Sequence, residues 1–397
     1  MLALAWMTAF LMSVILALTP IMTTIIYRMN AFRFISYCFF LLISLQACNV
    51  ENERLLDKTP YVYQPPELFA DNINVENAST HAVTVSRLED LLNAIRQEQF
   101  VGIDSVLVAI NNDLILEEYF AGWQRNDLHD LRSATKSITS LLTGIAIDQQ
   151  LLHLNDEVYA HFQRYYGQFD HGSNDKERLQ LKHMLNMSNG LACNDWWDLS
   201  PGNEAKMYRH DDWVKFILDL PMVSDPGNNF SYCTGGVQVV ARMIENSSHM
   251  SLQNFAQEHL FSKLGISNYQ WTSTGSGRTE ASGHIYFRPR DMLKLGLLVV
   301  NNGDWQGQSV VSSQWMNQLH TPYFNFYGNF WWHQIFEPDD ASFPLTKAIY
   351  ASGNGGQQIW IMPDLQLVIV FTANNYNMGS PSREMIMNYI LPAVHGL

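Results

Sequence analysis

Two hairpin patterns stand at opposite ends of this chain, and they limit what it can fold into more than any other feature. The first has apolar stretches at residues 105–110 and 114–120, split by Asn111-Asn112-Asp113. The second has stretches at 358–362 and 366–372, split by Pro363-Asp364-Leu365. Short β-branched and aromatic runs bounded by turn residues read as antiparallel strand pairs. The simplest arrangement that uses both is one antiparallel sheet built from the two chain ends. Helical periodicity over 85–100 places Leu88, Leu91, Leu92 and Ile95 on one face. A stronger pattern over 133–150 aligns Ile138, Leu141, Leu142, Ile145 and Ala146. A last helix is expected from about 381 to 394. Between about 150 and 320 the pattern is helical segments and long loops rich in Trp, Pro and Gly. The class is therefore α+β: a sheet flanked by terminal helices, with a mainly helical lobe. In two-lobed enzymes the site lies in the cleft between lobes.

Residues 1–27 carry no charged side chain and are long enough to cross a bilayer. A second apolar run, 35–45, follows Arg28 and Arg33 and ends in Leu45-Gln46-Ala47-Cys48. A basic start, an apolar core and small residues before a cleavage point read as a secretory signal. The cysteine after Leu-Gln-Ala resembles a bacterial lipoprotein signal, in which that Cys takes lipid. Met29 opens this second unit. The expected organisation is an apolar extension, read as a mis-called start, at 1–28, a signal at 29–47, a tether at 48–80 and a catalytic domain at 81–397. The competing reading is a transmembrane anchor followed by a second apolar segment. Either one connects the chain to a membrane and leaves its bulk outside the cytoplasm, on the periplasmic side of a bacterial envelope.

The net charge of -14 argues against nucleic acid as a partner, because phosphate binding needs a basic face. With Cys38 in the signal and Cys48 assigned to lipid, Cys193 and Cys233 remain. In an oxidising space they are a candidate disulfide, worth about 4 kcal/mol in the chain-entropy model. Two buried free thiols are the alternative. Without paired histidines the two make a poor zinc site, and neither a metal nor another cofactor is expected.

Ser133-Ala134-Thr135-Lys136 has the Ser-x-x-Lys spacing. At i and i+3 on a helix the two side chains share a face. A neutral Lys amine there can take the Ser proton, and the partial positive charge of a helix N-terminus disfavours the ammonium. The spacing recurs at Ser173-Asn174-Asp175-Lys176, in a polar stretch that reads as a solvated loop. A structural N-cap with a surface Lys weighs about as much as a nucleophile on this spacing alone. Two further segments shift the balance. Phe230-Ser231-Tyr232 leads into an apolar helix and presents a Tyr able to shuttle a proton. Ser352-Gly353-Asn354-Gly355-Gly356-Gln357 leads into a strand, where glycines let a substrate approach the backbone.

In this order, the three segments resemble the serine β-lactamase and penicillin-binding-protein superfamily, most of all its class C-related branch of carboxylesterases, D-amino-acid peptidases and 6-aminohexanoate-dimer hydrolases. Leu131–Leu142 is similar to that family's nucleophile segment, Met184–Gly190 to its Leu-x-x-Met-x-Ser-Gly stretch, and Arg290-Asp291-Met292 and Gly355–Ile359 also fit. The resemblance implies a β-lactamase-like fold over about residues 85–397. It implies Ser133 as nucleophile, Lys136 and Tyr232 as its base pair, and the N–H groups of Ser133 and Gln357 as oxyanion donors. Asn354, Gly355, Gly356, Trp332 and His333 are expected to bind substrate, with Trp196, Trp197 and Trp331 as further lining candidates. Two departures stand out: Thr234 where the family's Tyr motif has Asn, and Asn354 where its third motif often has a cation. The missing cation argues against efficient β-lactam hydrolysis and for an ester or small amide as substrate. The competing readings are a sensor that is acylated once without turnover, and a cell-wall D-peptidase. If the signal reading holds, mass analysis of the native protein finds a mature N-terminus at Cys48 carrying lipid. An unmodified Cys48 in the mature chain contradicts it.

Overall fold

The computed structural model describes residues 59–170, 174–339 and 341–397. Both hairpins form, and both join one sheet. Its eight strands among the described residues are β1 (Asn74–Val75), β2 (Ile103–Ile110), β3 (Asp113–Tyr119), β4 (Tyr327–Gly328), β5 (Trp331–Phe336), β6 (Thr346–Gly353), β7 (Gln357–Met362) and β8 (Leu367–Ala373). Their order is β1-β3-β2-β8-β7-β6-β5-β4. Every pairing is antiparallel except that of the short edge strand β1 with β3, so the sheet is mixed. The chain ends meet at the β2–β8 seam, in register from Leu367 opposite Ile110 to Phe371 opposite Val106.

The turns follow from their residues. Asn111 and Asn112 have φ of 51° and 72°. Asn tolerates this left-handed region, and a two-residue loop with both φ positive matches the twist of the flanking strands. Strand alternation then sorts side chains between two cores. Val106, Val108 and Ile110 pack in one cluster with Leu88, Leu91, Leu92 and Ile95 of helix α1 (Val85–Arg96) and with Met385, Ile386 and Ile390 near the C-terminus. Leu107 and Ala109 belong to the other, with Ile138, Leu141, Leu142 and Ile145 of helix α2 (Thr135–Asp148). That second core continues into the middle lobe, whose longest helix is α3 (Thr234–Ser248).

Three expectations need correction. The helical lobe is interrupted near its end, because helix α4 (Pro289–Val300) lies on the sheet. A Cβ on its Gly296 would come within 2.4 Å of Val368 and 3.0 Å of Ile359, so the helix sits directly on β7 and β8. The segment expected to be a tether is packed from Tyr61 onward. Tyr63 Oη donates to the Ile115 carbonyl (2.9 Å), and β1 extends the sheet. Arg290 locks this lead in place: its buried guanidinium donates to Asp71 (2.7 Å), Glu117 (3.1 Å) and the Glu67 carbonyl (3.1 Å). Such pairing answers a charge that would otherwise be costly to bury. Lastly, the helix expected to begin at Ser133 begins at Thr135, after a 3-10 turn at Arg132–Ala134.

The expected extension, the signal and Cys48 lie outside the described residues. Among those described, no helix is long and apolar enough to cross a membrane.

Candidate active site

The site is organised around the turn that carries Ser133. The strand His129–Asp130 pairs antiparallel with Ile285–Phe287, and Leu131 N–H continues this pairing by donating to the Ile285 carbonyl (2.9 Å). The next residue, Arg132, has a φ of 48°. A non-glycine residue there is strained, by about 1–3 kcal/mol, and persists only where its surroundings impose it. Asp130 imposes it. Its carboxylate accepts the Arg132 N–H (3.0 Å) and ion-pairs with Nε (3.0 Å).

From this turn, α2 sets Lys136 beneath Ser133. Lys136 is 2% exposed. Its Nζ lies 3.0 Å from Ser133 Oγ and 2.8 Å from the Ser282 carbonyl. Asp195 and Glu280 are the carboxyls nearest in effect. Burial pushes both above the usual carboxylate range, with Lys136 among the charges that draw them back. Tyr232 arrives from the other lobe, just before α3. Its ring centroid is 5.3 Å from Lys136 Nζ. The loop that carries it is fixed three times: by the Cys193–Cys233 disulfide, by Ser231 Oγ donating to the Cys193 carbonyl (2.6 Å), and by Asp195 N–H donating to the Tyr232 carbonyl (2.9 Å).

The end of β6 closes the third side. A Cβ on Gly353 would stand 2.1 Å from the Leu131 carbonyl oxygen, so only glycine lets this strand touch the nucleophile turn. Ser133, Tyr232, Trp332, Asn354, Gly355 and Gly356 line one cavity of about 450 Å³. Trp196 stacks on Tyr232 at its rim (5.4 Å between centroids, 5° between planes).

Gln357 does not belong there. It is 1% exposed, sits on β7 opposite Gly353, and its side chain donates to the Ala373 carbonyl. The backbone group at the cavity wall beside the nucleophile turn is that of Asn354. Among the described residues, the N–H groups of Ser133 and Asn354 donate to no backbone carbonyl. Both N–H groups are therefore available at the cavity, and Asn354 takes the place of Gln357 as the candidate second donor. The Asn354 side chain is itself tied to Asn377, through Nδ2 (2.9 Å) and Oδ1 (2.8 Å).

His333 is also misplaced by the sequence reading. It follows Trp332 on β5, so strand alternation turns it to the other face. There it lines a separate cavity of about 560 Å³ with His320 and Lys347, and burial pushes its imidazole down to about 4. Trp197 is exposed and Trp331 is core. The second Ser-x-x-Lys also departs from its reading. Ser173 lies outside the described residues, and Lys176 is buried, not solvated. Its Nζ donates to the carbonyls of Asp170 (2.8 Å) and Leu218 (2.7 Å), and burial lowers it to about 8. It is a strut within the lobe. Sequence reading missed Ser282, Tyr350 and Arg383, which carry no motif, and named Ser352 only as the start of the glycine segment. Among the described residues, no group of three or more His, Cys, Asp or Glu side chains could hold a metal.

Comparison with known proteins identifies the family and the fold. The family model described as Beta-lactamase matches residues 87–391. A 6-aminohexanoate-dimer hydrolase of Paenarthrobacter ureafaciens is 23% identical over 311 residues, 72% of this chain and 75% of that protein. Among solved structures, a putative 6-aminohexanoate-dimer hydrolase from Bacillus anthracis superposes with a TM-score of 0.63 at 18% identity, covering 87% of this chain and 92% of its own. A family VIII carboxylesterase superposes with a TM-score of 0.62 at 13% identity, covering 84% and 100%.

The turn's own support has a pH signature. His284 Nδ1 lies 2.8 Å from Asp130 Oδ2, and this hydrogen bond raises the imidazole above its ordinary value, against burial. Burial raises Asp130, but the bonds from His284 and the Arg132 N–H outweigh it and hold the carboxyl low. A raised imidazole stabilises the fold fully below its unfolded value near about 6.5, and the contribution is lost as pH rises through the folded value. The stability difference between wild type and His284→Gln, read by urea unfolding, is therefore expected to shrink from about pH 6 to about pH 9. A difference that stays constant contradicts the assignment.

Proposed function

This chain belongs to the β-lactamase family, and on that premise we propose that it is a serine hydrolase that cleaves an ester or small amide through an acyl-enzyme on Ser133. The observation that carries the reading is the 3.0 Å approach of a buried Lys136 Nζ to Ser133 Oγ. Lys136, with Tyr232 beside it, takes the Ser133 proton as Oγ attacks the substrate carbonyl. The N–H groups of Ser133 and Asn354 hold the negative oxygen, a contribution usually worth about 3–4 kcal/mol per donor. The C–O or C–N bond breaks as Tyr232 returns a proton to the leaving group. Water then attacks the acyl ester, gives its proton to the same pair, and frees Ser133.

The ester or small-amide preference rests on Asn354. No cation stands at that position, and its side chain is committed to Asn377, so it offers a β-lactam carboxylate no charged grip. Two relatives, a 6-aminohexanoate-dimer hydrolase and a family VIII carboxylesterase, support a hydrolase reading. We also propose that the domain works outside the cytoplasm, held to the envelope through Cys48. The Cys193–Cys233 disulfide supports an oxidising compartment.

Steady-state hydrolysis of p-nitrophenyl acetate and butyrate tests the reading. Wild type is expected to turn over repeatedly, with Ser133→Ala and Lys136→Met each lowering kcat by about 10³-fold or more. One equivalent of product followed by none would fit acylation without turnover, as in a sensor. Equal rates for wild type and Ser133→Ala would remove the nucleophile.

A further inference from the structure

The cavity of about 560 Å³ behind β5 has no part in the reaction described above. Besides β5 it is built by β6, by the end of the helix Ser313–Leu319 and by the hairpin turn Pro363–Leu365. Strand pairing sets its floor. His333 stands opposite Ile349, and Ile335 stands opposite Lys347. All four therefore share the face that Trp332 does not. His333 and Lys347 are diagonal neighbours across this pair, so one small ligand is within reach of both. Ile349 is 4% exposed and marks the deep end, while Ile335 is 51% exposed and marks the mouth. Pro322 and Pro363 add apolar wall, and His320 joins from the helix end.

The basic groups of this cavity are unused by the fold. Nε2 of His333 is buried without a hydrogen-bond partner. Among the described residues, neither Lys347 nor the imidazole of His320 makes an ion pair or a hydrogen bond. The one acid in the lining, Asp364, is exposed on the hairpin turn. Burial holds His333 down at about 4, with His320 adding to the effect, and burial lowers His320 against the pull of Asp364. Both rings are thus neutral at pH 7, and each has one N–H to donate. A buried nitrogen left without a partner is costly. An apolar cavity with a few convergent polar groups suits a ligand with a polar head and an apolar body. Lys347 decides the sign of that head, because a donor that is itself charged holds an anion most strongly.

We propose that this cavity is a second binding site, separate from that of Ser133, for a small free carboxylic acid with an apolar body. The carboxylate accepts hydrogen bonds from Lys347 and the imidazoles, and the body lies on Ile335, Ile349 and the two prolines. Cleavage of an ester or amide at Ser133 releases an acid of this class, which makes the product a natural occupant. That link to the product rests on the hydrolase reading, whereas the site stands without it.

Calorimetry on the whole domain tests the site without turnover. Hexanoate and 1-hexanesulfonate are compared with 1-hexanol and hexylamine. Both anions are expected to bind at least about tenfold more tightly than the alcohol, in keeping with a charge-assisted hydrogen bond. Added salt should weaken this preference. Lys347→Glu changes an exposed residue and should turn the preference toward hexylamine. The double variant His320→Gln, His333→Gln should weaken hexanoate by about tenfold and leave the alcohol unchanged. Equal binding of acid and alcohol in wild type overturns the proposal, as does an anion preference that survives Lys347→Glu. Hexanoate binding that appears only with added zinc would give the imidazoles to a metal and also overturns it.

The place of binding is read with Ser133 blocked by a fluorophosphonate. Hexanoate is expected to bind the adduct as tightly as the free protein. Loss of binding in the adduct places the acid in the Ser133 cavity and overturns the proposal. A protein that takes no adduct, yet binds hexanoate through Lys347, loses the reaction and keeps the site. One that takes the adduct and hydrolyses esters but shows no anion preference keeps the reaction and loses the site.

Discussion

A lysine amine buried at 2% exposure under a serine hydroxyl is the constraint from which the rest of the structure is best understood. Taking an amine out of water is costly unless its hydrogen-bonding capacity is met. Around Lys136 it is met by Ser133 Oγ, the Ser282 carbonyl and the face of Tyr232. These come from three places in the chain, so the amine can be buried only when the lobe that carries Tyr232 closes against the sheet. Folding the domain and assembling the site are one event. The disulfide at Cys233 and the carboxylate of Asp195, which accepts the Thr234 N–H, hold the loop of Tyr232, Gln238 donates to Ser282 Oγ (3.1 Å), and the Gly353 approach to Leu131 braces the turn of Ser133.

The nucleophile turn shows how strain is kept where chemistry needs it. Arg132 at a φ of 48° aims the next residue out of the line of α2, and Asp130, backed by His284, keeps it there. The small three-stranded sheet that includes Asp130 is anchored in the main core by Ile285 and Phe287. Its role is to deliver Ser133 to the mouth of the cavity at a fixed angle, with the amine below and free N–H groups beside it.

The sequence was informative where local chemistry decides structure. Both hairpins were visible because Asn-Asn and Pro-Asp turns interrupt alternating strands, and α2 because a continuous apolar stripe follows Ser133. The pairing of Cys193 with Cys233 was open in the sequence and is formed in the structure. It was less informative where the outcome depends on contacts between distant segments. Gln357 looked like an oxyanion donor because it follows the glycines, yet the hairpin register puts it opposite Gly353 and leaves Asn354 as the candidate at the cavity. His333 sits beside Trp332 in the chain but on the other side of the sheet. Lys176 looked solvated because its neighbours are polar, but two carbonyls from other segments cap it in the interior. Arg383, more than two hundred residues from Ser133 in the chain, gave no sign at all, since only the fold brings the last helical stretch to the cavity.

The central claim is that Lys136 makes Ser133 the activated nucleophile of this chain. Labelling with a fluorophosphonate, followed by peptide mass mapping of wild type and Lys136→Met, tests it most directly. The account predicts a single adduct on Ser133, formed at least about a hundredfold more slowly in the variant, in line with the loss of a general base. An adduct on another residue, or equal labelling of Ser133 with and without Lys136, would contradict it.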